Sequence, residues 1–302
     1  MPIVFKQATK QDSKLRLALY GPSGSGKTFT ALAIVRHLVG EGGKIALMDT
    51  EHGSASKYAD LHGGFDVFEA DGDYSPQVYT EAIRAAERAG YDALIIDSLS
   101  HAWTGTGGAL DLVDRTARAS GNKFTAWGGV TPLINTMVDT IIGAKLHVIA
   151  TMRSKTEYLM EQDGKGKTSI RKVGTAPIQR EGVEYEFDIV GTMDLDNTLS
   201  IEKTRCPSLR GKTFNRPGIE VAEIISAWLT GTSAEDNAAT AEALRVEFMA
   251  IYDDQAAAKE TEICLFVSRG EAGSFDALSG DQLLRVQRQL EKRLATAAAA
   301  AV

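Results

Sequence analysis

The sequence predicts an α/β fold with a mostly parallel central sheet flanked by helices, followed by a small helical module. Three observations predict it. Over the first 230 residues, short apolar runs rich in β-formers alternate with amphipathic helical stretches, the pattern of strand–helix–strand units. Between the first run and the first helix stands a glycine-rich turn, Gly21-Pro22-Ser23-Gly24-Ser25-Gly26-Lys27-Thr28. The stretch Gly231-Thr232-Ser233-Ala234-Glu235-Asp236-Asn237 then breaks the alternation, and only helical periodicity follows it.

The elements follow in order. Leu15–Tyr20 reads as the first strand, and Lys27 to about Val39 as a helix with Ala31, Ile34, Val35 and Leu38 on one face. Lys44–Asp49 is the second strand and Pro76–Ala89 the next helix. Ala93–Asp97 is apolar up to its last residue, as befits a strand buried on both faces. A flexible stretch at 123–129 precedes a helix at Pro132–Ile142 with Thr131 as its N-cap. His147–Met152 is a strand and a polar loop follows it. Glu186–Met193 and Thr198–Thr204 form an antiparallel pair turning through Asp194-Leu195-Asp196-Asn197, and Ile219–Leu229 is a helix.

Beyond residue 231, Leu244, Phe248 and Ile251 share one helical face, as do Leu283, Val286, Leu290 and Leu294. Ser279 with Gln282 predicts a capping box. The expected domains are therefore 1–230, the α/β domain, and 231–302, a three-helix module with an alanine-rich tail.

At 43% apolar and 24% charged residues, the composition excludes a disordered chain. No apolar run reaches membrane-spanning length, and the N-terminus lacks the apolar core of a leader peptide. Cys206 and Cys264 match no disulfide or zinc spacing. The expectation is a cytoplasmic protein with reduced thiols and no membrane partner. The net charge of −7 is concentrated late: twelve acidic and seven basic residues at 231–302 leave only −2 for the remainder. A near-neutral domain can still carry a local basic segment for nucleic acid.

The turn at 21–28 fits the Walker A pattern, and its place between a strand and a helix is the context the pattern requires. Glycines turn successive N–H groups toward phosphate oxygens, and the helix N-terminus adds its positive end. Lys27 is expected at the β- and γ-phosphates of ATP, and Thr28 on Mg²⁺. Leu94-Ile95-Ile96-Asp97-Ser98 supplies the second magnesium partner, Asp97, as a Walker B element. Glu51, just after the second strand, is the candidate to orient the attacking water; its alternative is a solvated loop carboxylate.

The order of Walker A, Asp49-Thr50-Glu51-His52 and Ile95-Ile96-Asp97-Ser98 resembles the RecA-type recombinase core over roughly residues 14–230. A closer resemblance is to the short RecA-like, AAA-type ATP-binding proteins of phages and prophages, some of them implicated in single-strand annealing and recombination. The resemblance implies a RecA-like P-loop NTPase core and carries the catalytic glutamate of the Asp-x-Glu-His segment over to Glu51. It also places Thr151 where the family usually has a glutamine that senses the γ-phosphate.

By position, the segment after Thr151 is similar to the family's mobile DNA-binding loop. Residues 153–180 carry seven basic side chains (Arg153, Lys155, Lys165, Lys167, Arg171, Lys172, Arg180) against three acidic ones. Such a segment suits single-stranded DNA; the alternative is a solvated hairpin around Asp163-Gly164-Lys165-Gly166. A second DNA candidate is 115–129, where Phe124 and Trp127 stand beside Lys123 with Arg115 and Arg118 upstream, unless Trp127 packs against the sheet instead. Lys203 and Arg205 resemble a cation pair that reaches a neighbouring subunit's γ-phosphate, which implies a homo-oligomer with ATP at its interfaces; the alternative is an exposed strand end. Phe5-Lys6-Gln7-Ala8 matches the Phe-x-x-Ala hook by which some recombinases join subunits.

The functional expectation is an Mg²⁺-dependent ATPase that binds single-stranded DNA in phage-type recombination or annealing. Two other classes stay open. One is a P-loop phosphotransferase for a small substrate, with Arg171, Lys172 and Arg180 as a lid. The other is a nucleotide switch that loads or regulates a helicase, with the helices of 240–295 binding the partner.

Overall fold

The computed structural model describes residues 13–290 apart from 41, 62, 163–167, 232, 233, 269–271, 279–281, 284 and 288. In chain order the elements are β1 (Arg16–Gly21), α1 (Lys27–Val39), β2 (Ile45–Asp49), β3 (Asp66–Glu69), α2 (Pro76–Arg88), β4 (Ala93–Asp97), α3 (His101–Thr104), α4 (Ala109–Ser120) and α5 (Lys123–Gly143). There follow β5 (His147–Gln162), β6 (Thr168–Pro177), β7 (Ile189–Met193), β8 (Thr198–Thr204), β9 (Thr213–Asn215), α6 (Ile219–Thr230), α7 (Ala234–Tyr252) and α8 (Ala256–Ser268).

The apolar runs become the interior of one sheet, ordered β3-β2-β4-β5-β1-β7-β8-β9. β1 through β5 and β7 pair in parallel, while β8 and β9 add antiparallel. Every residue of β1 and of β4 is buried, because each strand has a neighbour on both sides and a helical layer above it. Tyr79 and Ile83 of α2 and Met137 and Ile141 of α5 pack with Tyr20, Met48, Leu94, Ile96 and Met152 from the strands. Each such side chain contributes about 1.5–3 kcal/mol on burial. This is the mostly parallel α/β fold of a P-loop protein.

Two compact units divide the chain inside α6, one covering Lys14–Ala222 and the other beginning at Glu223. In the second, Ala241, Leu244 and Phe248 of α7 form a core with Cys264, Phe275, Leu283, Val286 and Leu290. Ile251 does not join them; it is 40% exposed, and Tyr252 packs on that core instead. Leu294 and Ser279 lie outside the described residues. Among the described residues no helix is long and apolar enough to cross a membrane.

The structure corrects the expected α5. The helix starts at Lys123, not Pro132, and Asn122 rather than Thr131 is its N-cap, its side chain accepting from the N–H groups of Phe124 and Thr125. Pro132 sits inside this helix. Its ring faces the carbonyl four residues back, which belongs to Gly128, where no side chain adds crowding. The stretch 123–129 is thus part of a helix. Trp127 packs on Trp103 at 5.8 Å, in the small core of α4 and α5, and not on the sheet. The polar loop after Met152 is also corrected. β5 continues to Gln162 and pairs with β6 as a two-stranded antiparallel ribbon that leaves the main sheet.

Candidate functional site

The phosphate loop is built by backbone that only glycine allows. At Gly21, where β1 ends, an added Cβ would lie 2.2 Å from the Met193 carbonyl oxygen of β7. Gly24 and Gly26 both have φ of 82°, the left-handed region that disfavours side chains. Gly26 ends the loop as the N-cap of α1, whose first N–H groups have no partner within the helix. Of the remaining loop residues, Ser25 is fully buried and Ser23 exposed, with Pro22 between those extremes.

The Lys27 ammonium lies back across this loop, donating to Gly21 O at 3.0 Å, Pro22 O at 2.7 Å and Ser25 Oγ at 3.4 Å. Burial pulls its pKa below the usual lysine range, and Asp97 and Glu51 oppose that pull.

Two acidic strand ends face the loop. Asp49 of β2 and Asp97 of β4 are register partners. Thr28 Oγ1 donates to Asp97 Oδ2 at 2.6 Å, and the buried Thr151 hydroxyl of β5 donates to Oδ1. Burial raises the Asp97 carboxyl above the ordinary range, and the two hydroxyls work against that. The Asp97–Ser98 peptide is cis. Asp49 shapes the turn that presents Glu51, accepting from Glu51 N at 2.5 Å and Ala55 N at 2.9 Å. Thr50 ties the strand ends together: its N–H donates to Asp97 O at 2.7 Å, and its hydroxyl accepts from Ser98 N at 2.7 Å and meets His101 Nδ1 at 2.6 Å. Glu51 Oε1 accepts from Nε of Arg153 at 3.0 Å, and Nη2 lies at the same distance in an ion pair.

Residues 13–214 match the family described as AAA domain, which is more than half of the chain. The chain belongs to that AAA domain family. The family and the P-loop fold together place it among the nucleotide-binding P-loop ATPases. Among solved structures it is similar to a KaiC-like protein from the hyperthermophilic archaeon Pyrococcus horikoshii OT3, at 16% identity and a TM-score of 0.40, over 66% of this chain and 83% of that one. No protein of curated function matches it.

Within the AAA domain, the structure brings Gly21–Thr28, Asp97, Glu51 and Thr151 to one place. Lys203 and Arg205 stand elsewhere. β7 runs parallel to β1 and pairs Leu17 with Ile189, while Ile189 pairs with Thr204 of β8, so both cations sit at the opposite end of the strands from Gly21. Lys203 Nζ donates to the carbonyls of Glu184 (3.3 Å), Tyr185 and Phe187, and Arg205 pairs with Asp188 at 2.7 Å. In the 115–129 segment, Arg115 pairs with Asp111 and Lys123 with Asp114, whereas Phe124 is 87% exposed. Phe5 to Ala8 lie outside the described residues.

Sequence reasoning missed four features of the AAA domain site. Phe29 and Tyr58 meet edge to face at 6.5 Å beside the loop; an aromatic directly after Thr28 was a readable sign. Asn197 Nδ2 reaches Gly24 O at 3.5 Å from the β7–β8 turn. Gln179, buried, donates to Leu99 O at 2.9 Å just past Asp97. The Arg153–Glu51 pair joins residues 102 apart in sequence. For these last three no local pattern points to the partner.

Proposed function

We propose that this protein hydrolyses ATP with Mg²⁺ and that single-stranded DNA, held on the β5–β6 ribbon, governs that hydrolysis. The observation that carries the hydrolytic reading is the convergence of Thr28 Oγ1 and Asp97 Oδ2, 2.6 Å apart, with Glu51 presented by Asp49, the register partner of Asp97. The donor set fits the ion. A hydroxyl and a carboxylate are hard oxygen ligands, and Mg²⁺ takes one or two protein ligands and completes its shell with phosphate and water. Among the described residues no group of three or more His, Cys, Asp and Glu side chains offers a rival metal site. When bound, Mg²⁺ neutralises phosphate charge. Lys27 then holds the terminal phosphates, Glu51 takes a proton from the attacking water, and the partly exposed Phe29 ring with Tyr58 offers apolar surface to the base.

Three features support the DNA reading. Among the described residues, beyond Ser154 the two ribbon strands take their ladder partners only from each other, which leaves strand edges for a ligand. The segment 153–180 holds seven basic residues against three acidic. Its base is bonded to the Leu99 carbonyl and the Ser100 hydroxyl, two and three residues past Asp97. Lys203 and Arg205, distant from their own loop, would act on ATP only across a subunit interface.

The test is phosphate release by wild type, Lys27→Ala and Glu51→Gln, with and without an oligo(dT) strand at two salt concentrations. Each substitution is expected to lower turnover about 100-fold or more. The strand is expected to raise wild-type turnover, less so at high salt. Phosphate release that survives both substitutions would sink the hydrolytic assignment. An oligonucleotide that neither binds nor alters turnover at low salt would sink the DNA assignment.

A further inference from the structure

We propose that Arg153 is a positioning residue that restrains Glu51, and that the β5–β6 ribbon sets how tightly it does so. This rests on the reading of Glu51 as the water-orienting base. Arg153 lies two residues after Thr151, on the same face of β5, at the point where that strand leaves the main sheet. Nε donates to Oε1 of Glu51 at 3.0 Å and Nη2 lies at the same distance in an ion pair, so the carboxylate that must face a water is turned toward a guanidinium. A base held in an ion pair has to leave that pair, wholly or in part, before it can accept a proton.

The pair is built to open. Its side chains are 51% and 30% exposed, and pairs of that kind are worth about 0–1 kcal/mol. The backbone of Arg153, by contrast, is fixed to the site. Its N–H donates to Ser100 Oγ at 2.9 Å and its carbonyl accepts Ile178 N at 2.7 Å from the returning strand. The other foot of the ribbon is anchored to the same segment, where Gln179 Nε2 donates to Leu99 O at 2.9 Å. Leu99 N in turn donates to Thr151 O at 2.9 Å. Both feet therefore bear on Leu99 and Ser100, just past Asp97, and a ligand that twists or draws the ribbon strains the segment from which the Arg153 side chain reaches Glu51.

The test measures ATP turnover by wild type, Arg153→Ala, Arg153→Lys, Glu51→Gln and the Arg153→Ala/Glu51→Gln double variant, with and without oligo(dT). Arg153→Ala is expected to raise kcat about two- to fivefold, the factor that an exposed ion pair sustains, and to leave KM for ATP within about twofold. Arg153→Lys restores the pair and is expected to return kcat toward wild type. The double variant is expected to be as inactive as Glu51→Gln, and Arg153→Ala is expected to lose most of its response to oligo(dT). A kcat for Arg153→Ala at or below that of wild type, with Glu51→Gln still inactive, overturns the restraint alone. Turnover indifferent to Glu51 in every background overturns the hydrolytic assignment, and the restraint with it. An increase in kcat at Arg153→Ala without any oligo(dT) effect in wild type upholds the restraint and rejects DNA as the ribbon's ligand.

Discussion

Asp97 serves three neighbours, with Thr28 on one carboxylate oxygen, Thr151 on the other and Thr50 N on its backbone carbonyl. Such a residue is set by its surroundings, and the same holds for His147 at the start of β5. Its Nδ1 accepts the Leu15 N–H at 3.0 Å. Burial above all, with Lys14 and Arg16 adding to it, pushes the imidazole pKa down to about 4. The folded state therefore binds this proton less readily than the unfolded chain. The resulting stability is present above the unfolded pKa near 6.5 and is lost as pH falls through about 4. Chemical denaturation between pH 7 and 4 is expected to show a steeper fall in stability for wild type than for His147→Gln, by about 3 kcal/mol over that window. Equal slopes for the two proteins would refute the assignment.

Among the elements, the ribbon departs furthest from what local pattern predicts. Its strands pair over Ser154–Gln162 and Thr168–Pro177, and among the described residues no third strand pairs with that stretch. An isolated ribbon contributes little to the stability of the domain it leaves. Replacing 157–173 with a short Gly-Ser turn is expected to leave the thermal midpoint within a few degrees of wild type. The same change is expected to weaken oligo(dT) binding at low salt, read by fluorescence anisotropy, because it removes four of the seven basic side chains that can neutralise phosphates, although the three acidic ones go with them. The salt slope of whatever binding remains should be shallower. α5 teaches the complementary lesson: Asn122 followed by Thr125 was a legible cap, but Gly128, Gly129 and Pro132 obscured it. A helix tolerates that run where it is exposed and where Ala126, Val130 and Ile134 secure the other face.

For the whole molecule, the property to measure is whether one chain makes a complete site. Lys203 and Arg205 sit at the end of the sheet away from Gly21 and are held by groups of their own chain. If ATP lies between subunits, mixing Lys27→Ala with Arg205→Ala regenerates turnover that neither variant shows alone, since some mixed interfaces carry both intact residues. Turnover equal to the simple mean of the two, with wild-type specific activity independent of protein concentration, would rule out a shared site.

By itself the sequence determined the alternation of strands and helices, the phosphate loop, and the acids at the ends of β2 and β4. Each of these is recorded within about ten consecutive residues, in side-chain period, glycine placement and a charge at the end of an apolar run. Only the tertiary structure decided what those groups face. Thr28 meets Asp97 across 69 positions and Glu51 meets Arg153 across 102. The short β3, exposed at each of its residues, and the ribbon β5–β6 exist through pairing with strands distant in sequence or across a turn. A contact of that kind leaves no periodic mark on either partner, because chain folding and not local backbone preference brings the two together.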